Sequence, residues 1–121
     1  EVEQLFKLER ADQMSPDRMY ERHWALTVLR QVRNKLGEEY AALGKRERFN
    51  RLASFLPGEP CRLTQAEAAH DLQVSESAFK VEVHRLRRRF RDELRQEISE
   101  TVSRPEEIDE ELRYLIEVLN R

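Results

Sequence analysis

From Phe79 to Ile98 the apolar residues Phe79, Val83, Leu86, Phe90, Leu94 and Ile98 follow one another at intervals of three or four, with charged residues between them. Only an α-helix gathers positions with that spacing onto one face. Neither Gly nor Pro interrupts the stretch, and Ser75 stands ahead of it as a capping residue. The pattern predicts a helix from Glu76 to about Thr101, roughly 39 Å long at 1.5 Å per residue. A rod of that length outruns a small core. Its second half must leave the core or meet another helix.

The rest of the chain points to the same fold class. Only 3 Gly and 4 Pro occur among 121 residues, too few for the regular turns of a β-sandwich or barrel. Charged residues supply 38% of the chain, which favours helices with one solvated face. Ser15-Pro16-Asp17 reads as a helix start: a capping hydroxyl, a ring suited to the first helical position, and an acid at the positive end of the dipole. Tyr20, Trp24, Val28, Val32 and Leu36, with Ala25 and Leu29 beside them, form the stripe of a helix over 16–36, and Gly37 is the expected stop. Residues 38–56 read as helical again through Tyr40, Leu43, Phe49, Leu52, Ala53, Phe55 and Leu56, with Gly44 as a break or kink. Pro57-Gly58-Glu59-Pro60 is a loop. Thr64-Gln65-Ala66-Glu67 has the T-x-x-E form of a capping box and opens a short helix to about Leu72. Pro105 is the expected start of a last helix, with Ile108, Leu112, Leu115, Ile116 and Leu119 on its packed face. The expected fold is all-α, about six helices, with a long penultimate helix and an added C-terminal amphipathic one.

A net charge of -2 conceals an asymmetry. Between Lys80 and Arg91 there are six basic residues (Lys80, Arg85, Arg87, Arg88, Arg89, Arg91) against the single acid Glu82. From Glu97 to Arg121 there are eight acids and three bases. The basic block lies on the second of two closely spaced capped helices, which is a helix-turn-helix pattern over 64–90. Ala66, Ala68 and Ala69 allow the helices to cross closely, Val74 can plug the connection, and Phe79, Val83 and Leu86 supply the core stripe. Ser77, Lys80, Val81, His84, Arg85 and Arg88 lie on the other face, where they can reach DNA. The capped N-termini at Thr64 and Ser75 offer free N–H groups suited to phosphates.

The run from Leu72 to Phe90 resembles the C-terminal DNA-binding helix pair, region 4, of sigma-70 family RNA polymerase sigma factors, and within that family the extracytoplasmic-function (ECF) group. The recognition helix of that group typically reads S-x-x-x-V-K-x-x-x-H/x-R-A/L-R. The segments Tyr20–Leu29 and Glu110–Leu115 are similar to a branch of ECF factors from large genomes. The resemblance implies that the chain binds the minus-35 promoter element in the major groove and docks on core RNA polymerase through the flap tip of the β subunit. By position, Lys80, His84 and Arg85 would face the groove, while Arg62, Arg87 and Arg88 would neutralise phosphates. The implied organisation is a linker over 1–14 from a preceding region 2 domain, a region 4-like domain over 15–103 and an acidic extension over 104–121. This chain departs from the family pattern in three ways. Gln73 stands where the turn often has Gly, the L-P-x-x-x-R-x-V-F motif is missing from the first half, and the acidic helix is appended.

Two rival readings belong to other classes. In one, the chain is a regulatory interaction module whose helix-turn-helix is masked by its acidic tail or by an anti-sigma factor. In the other, it is a stand-alone helix-turn-helix regulator, which would have to dimerise to read two half-sites. Catalysis is not expected, because no Gly-rich phosphate loop, nucleophile elbow or ligand cluster appears. His23 and His70 lack Cys, Asp or Glu partners at ligand spacing, and Cys61 is alone, so neither a metal nor another cofactor is expected. No membrane-length apolar run and no signal peptide is visible, and a cytoplasmic location is the expectation.

Overall fold

The computed structural model describes residues 15–59 and 63–120. They form five α-helices and no strand: α1 (Pro16–Ala42), α2 (Arg46–Leu52), α3 (Gln65–Asp71), α4 (Glu76–Ser99) and α5 (Glu107–Leu119). A 3₁₀ turn, Ala53–Phe55, continues α2. The expected linker over 1–14, Pro60 in the expected loop, and Cys61 and Arg62 lie outside the described residues.

Three of the helix starts follow from hydroxyl caps. Ser15 Oγ accepts from the Arg18 N–H at 3.2 Å, Thr64 Oγ1 from Glu67 at 3.1 Å, and Ser75 Oγ from Ala78 at 3.1 Å. Each satisfies one N–H that the first helical turn cannot bond internally.

Helix α1 does not stop at Gly37. It runs 27 residues, to Ala42, and Gly37 is buried within it. The reason is packing. A Cβ at Gly37 would sit 3.0 Å from Phe49 Cε1 and 3.1 Å from Arg46 Nη1, so the missing side chain makes room for the ring of α2. The stop comes at Gly44, whose φ of +71° closes a Schellman turn. Gly44 N–H donates to Ala41 O at 3.0 Å and Lys45 N–H to Tyr40 O at 2.8 Å. The expected second helix, 38–56, is therefore divided between the end of α1, the short α2 and the 3₁₀ turn.

The core is one cluster to which every helix contributes. Val32 and Leu36 of α1, Phe49 and Leu52 of α2, Ala68 and Ala69 of α3, Phe79, Val83, Leu86, Phe90, Leu94 and Ile98 of α4, and Leu115 and Val118 of α5 are all buried. The whole predicted stripe of α4 is buried, and α4 ends at Ser99. Its second half does meet other helices: α1 and α5 both pack on α4. Phe49 lies 5.3 Å from Tyr40, and Phe55 meets Phe79 edge-on at 5.6 Å.

Three expectations fail at helix ends and edges. Tyr20 is 76% exposed rather than packed, because the stripe of α1 is covered only from Trp24 onward. Trp24 is half-buried, 6.2 Å from Tyr114 of α5. On α5, Val118 is buried and Ile116 is 49% exposed, so the packed face is rotated from the expected one. Pro105 lies in a turn before the helix, which begins at Glu107.

Candidate nucleic-acid interface

Helices α3 and α4 pack on each other through a connection of four residues, Leu72 to Ser75. Its geometry repeats the Schellman turn that ends α1. Gln73 N–H donates to His70 O and Val74 N–H to Ala69 O, both at 3.0 Å. Gln73 holds the left-handed position with φ of 59°. A residue with a Cβ pays roughly 1–2 kcal/mol there relative to a right-handed conformation. Val74 follows and packs half-buried against the core, as the expected plug. The strained turn fixes how α4 leaves α3, and so which face of α4 points outward.

The surface of the α3–α4 pair carries the described residues singled out from sequence, with Thr64 and Ser75 at the helix starts and the rest on α4. Thr64, Ser75, Ser77, Lys80, Val81, His84, Arg85, Arg87 and Arg88 are all exposed. Ser77, Val81, His84 and Arg88, at intervals of four, three and four, form one line along α4. Arg85 flanks the line on one side, and Lys80 and Arg87 flank it on the other. Val81 is 49% exposed, an apolar spot between polar neighbours. In a major groove such a side chain suits a thymine methyl, and an adjacent Arg suits guanine.

The basic residues of this stretch fall into two sets. Lys80 Nζ lies 3.4 Å from Glu76 Oε1, and Arg87 Nε donates to the Phe55 carbonyl at 3.0 Å. Arg89 reaches Glu39 of α1 at 2.6 Å and Glu93 at 3.4 Å. Arg87 thereby ties α4 to the 3₁₀ turn, in addition to any role its remaining N–H groups play. Arg85, Arg88 and Arg91 have no protein partner among the described residues. The single acid of the basic block is also accounted for. Glu82 is gripped by Arg48 of α2, whose Nε donates at 3.0 Å and whose Nη2 also donates. This hydrogen bond raises the Arg48 pKa further and offsets the one negative charge on that stretch.

Sequence reading missed these pairings. Arg48, Phe55 and Glu39 lie 34, 32 and 50 positions from their partners, so no local spacing announces them. Among the described residues no cluster of His, Cys, Asp or Glu could hold a metal, and no helix is long and apolar enough to cross a membrane. Helix α5 packs on α1 and α4, and an ion pair joins its Asp109 to Arg95 of α4, ten residues beyond Arg85 in the chain.

No protein-family profile, curated protein or solved structure matches this chain.

Proposed function

We propose that this chain is the promoter-recognition module of a bacterial RNA polymerase sigma factor of the sigma-70 family, ECF group. The observation that carries the reading is the α3–α4 pair. It is capped at both helix starts, fixed by a tight left-handed turn, and presents Ser77, Val81, His84, Arg85 and Arg88 outward. Lys80, His84 and Arg85 face the minus-35 element in the major groove, while Arg88 and the free N–H groups of the helix starts at Thr64 and Ser75 lie against phosphates. Arg62 would join the phosphate contacts. The chain acts stoichiometrically in the cytoplasm, bridging promoter DNA and core polymerase, with no catalytic step and no cofactor. Most of its affinity for DNA comes from phosphate neutralisation and falls steeply with salt.

The test is capture of bacterial core RNA polymerase by the immobilised chain, with the β flap-tip helix as competitor, alongside duplex binding over a salt series. Capture that the flap tip abolishes, together with salt-sensitive duplex binding, is the expected result. Duplex binding without capture would replace this reading with a stand-alone regulator. Loss of both would point to a module masked by a regulatory partner.

A further inference from the structure

The exposed line on α4 does not end with the helix-turn-helix. Arg91 and Arg95 continue it at intervals of three and four after Arg88. From Ser77 to Arg95 the line spans roughly 27 Å at 1.5 Å per residue. A major groove is only about 12 Å wide. A helix that enters the groove by its first turns must therefore carry its later turns out over the backbone.

Those later turns border a groove between α4 and α5, of about 320 Å³, lined by Arg88, Arg91, Asp92, Leu94, Arg95 and Leu112. Three guanidinium-bearing side chains share the groove with two leucines and the acid Asp92. Arg88 and Arg91 have no protein partner among the described residues. Arg95 already holds an anionic oxygen: its Nη1 lies 2.6 Å from Asp109 Oδ1 of α5. Both side chains of that pair are about half exposed or more, so water and salt weaken it and a stronger anion can displace it.

We propose that this groove holds the sugar–phosphate backbone of the duplex beside the sequence read by α4, with Arg91 and Arg95 on phosphates and the half-buried Leu112 against a sugar. The inference rests on the reading of α3–α4 as a duplex-binding pair. Asp109 occupies Arg95 in the free chain and sets how strongly the groove engages. Helix α5 is thus an added wall of the DNA interface as well as part of the core.

The experiment measures binding of the full chain to a mixed-sequence duplex of about 30 base pairs over a salt series, where each phosphate contact adds about 0.9 to the slope of log affinity against log salt. Arg91→Ala is expected to weaken binding several-fold and to lower that slope by about one. Asp109→Asn is expected to tighten binding several-fold and to raise the slope by about one, by releasing Arg95. Arg30→Ala, which removes the same charge from an exposed site on α1, is expected to leave the slope unchanged. If Arg85→Ala weakens binding about tenfold or more while Arg91→Ala and Asp109→Asn leave the slope intact, the groove proposal fails and the reading of α3–α4 stands. No duplex binding by the unaltered chain would overturn both. Inorganic triphosphate that shifts the Arg91 and Arg95 side-chain NMR signals at micromolar concentration, with the duplex slope insensitive to Arg91→Ala, would assign the groove to a free polyphosphate and overturn the backbone proposal.

Discussion

The two halves of α4 share one helix, one buried stripe and a similar density of arginine, yet they use their charges differently. In the second half Arg89 is spent on Glu39 and Glu93, Arg95 on Asp109, and Glu97 accepts from Lys35 at 3.1 Å. These pairs stitch α4 to α1 and α5, and of that half's arginines Arg91 is left without a partner among the described residues. In the first half Arg85 and Arg88 bond to nothing among the described residues and His84 and Val81 stand exposed. A count of basic residues cannot separate a helix that is being held from one that is presented. The partners on neighbouring helices do separate them.

The comparison can be broken most forcefully from beneath. Phe90 sits 1% exposed under the junction of the two halves. Phe90→Ala should cost about 3–5 kcal/mol through lost burial and a residual cavity. Urea unfolding followed by circular dichroism will show it, and a loss under about 1 kcal/mol would mean that the core is not assembled as described.

Next come the presented arginines. Arg85→Ala should weaken duplex binding by about 1–3 kcal/mol if it reads a guanine, with the unfolding midpoint unchanged. Arg89→Ala should do the reverse. It leaves the nearly buried Glu93 carboxylate without its guanidinium and should lower stability by about 1 kcal/mol while barely changing duplex affinity. Equal effects of the two substitutions on DNA binding would erase the distinction between the halves.

The turn that aims α4 gives a change of similar size and opposite sign. Gln73→Gly relieves the left-handed strain and should raise stability by about 1 kcal/mol, a few degrees in Tm. A fall in Tm would mean that the Gln73 side chain contributes more than its backbone costs.

The smallest effect is alkaline. The hydrogen bond that Lys35 donates to Glu97, and the nearby Glu93 charge, hold the Lys35 ammonium above its ordinary 10.5. Burial, then Glu82, holds the Tyr40 phenol above 10.0. Both groups bind their proton more tightly folded than unfolded. Their stabilisation is complete below the unfolded values and is lost as pH rises through the folded ones. The Tm should therefore begin to fall above about pH 10, and the pair Lys35→Met and Tyr40→Phe should flatten that fall.

Local features of the fold were legible in the sequence. The stripe from Phe79 to Ile98 and the caps at Ser15, Thr64 and Ser75 each depend on residues within a few positions, and each stands in the structure where the spacing put it. The all-α class follows from them. Gly37 was misleading because its role depends on Phe49, which approaches from another helix. Tyr20 lies at the end of an apolar stripe that no described residue covers there, and Ile116 lies at the edge of one whose packed face is rotated toward Val118; a periodicity does not say where its cover stops. At the candidate site, exposure of the outward face was legible, since it is the complement of the buried stripe. The partners of Arg87 and Arg89 were not, because Phe55 O and Glu39 are brought to them only by tertiary packing.

The central claim is that the exposed first half of α4 is the surface that meets DNA. Amide-resolved NMR titration of the chain with a mixed-sequence duplex tests it most directly. The account predicts shifts concentrated from Thr64 to Arg88 and extending along the exposed line to Arg95, with Glu39 and its neighbours on α1 unmoved. Shifts centred on α1 and α2, with Ser77 to Arg88 silent, would contradict it.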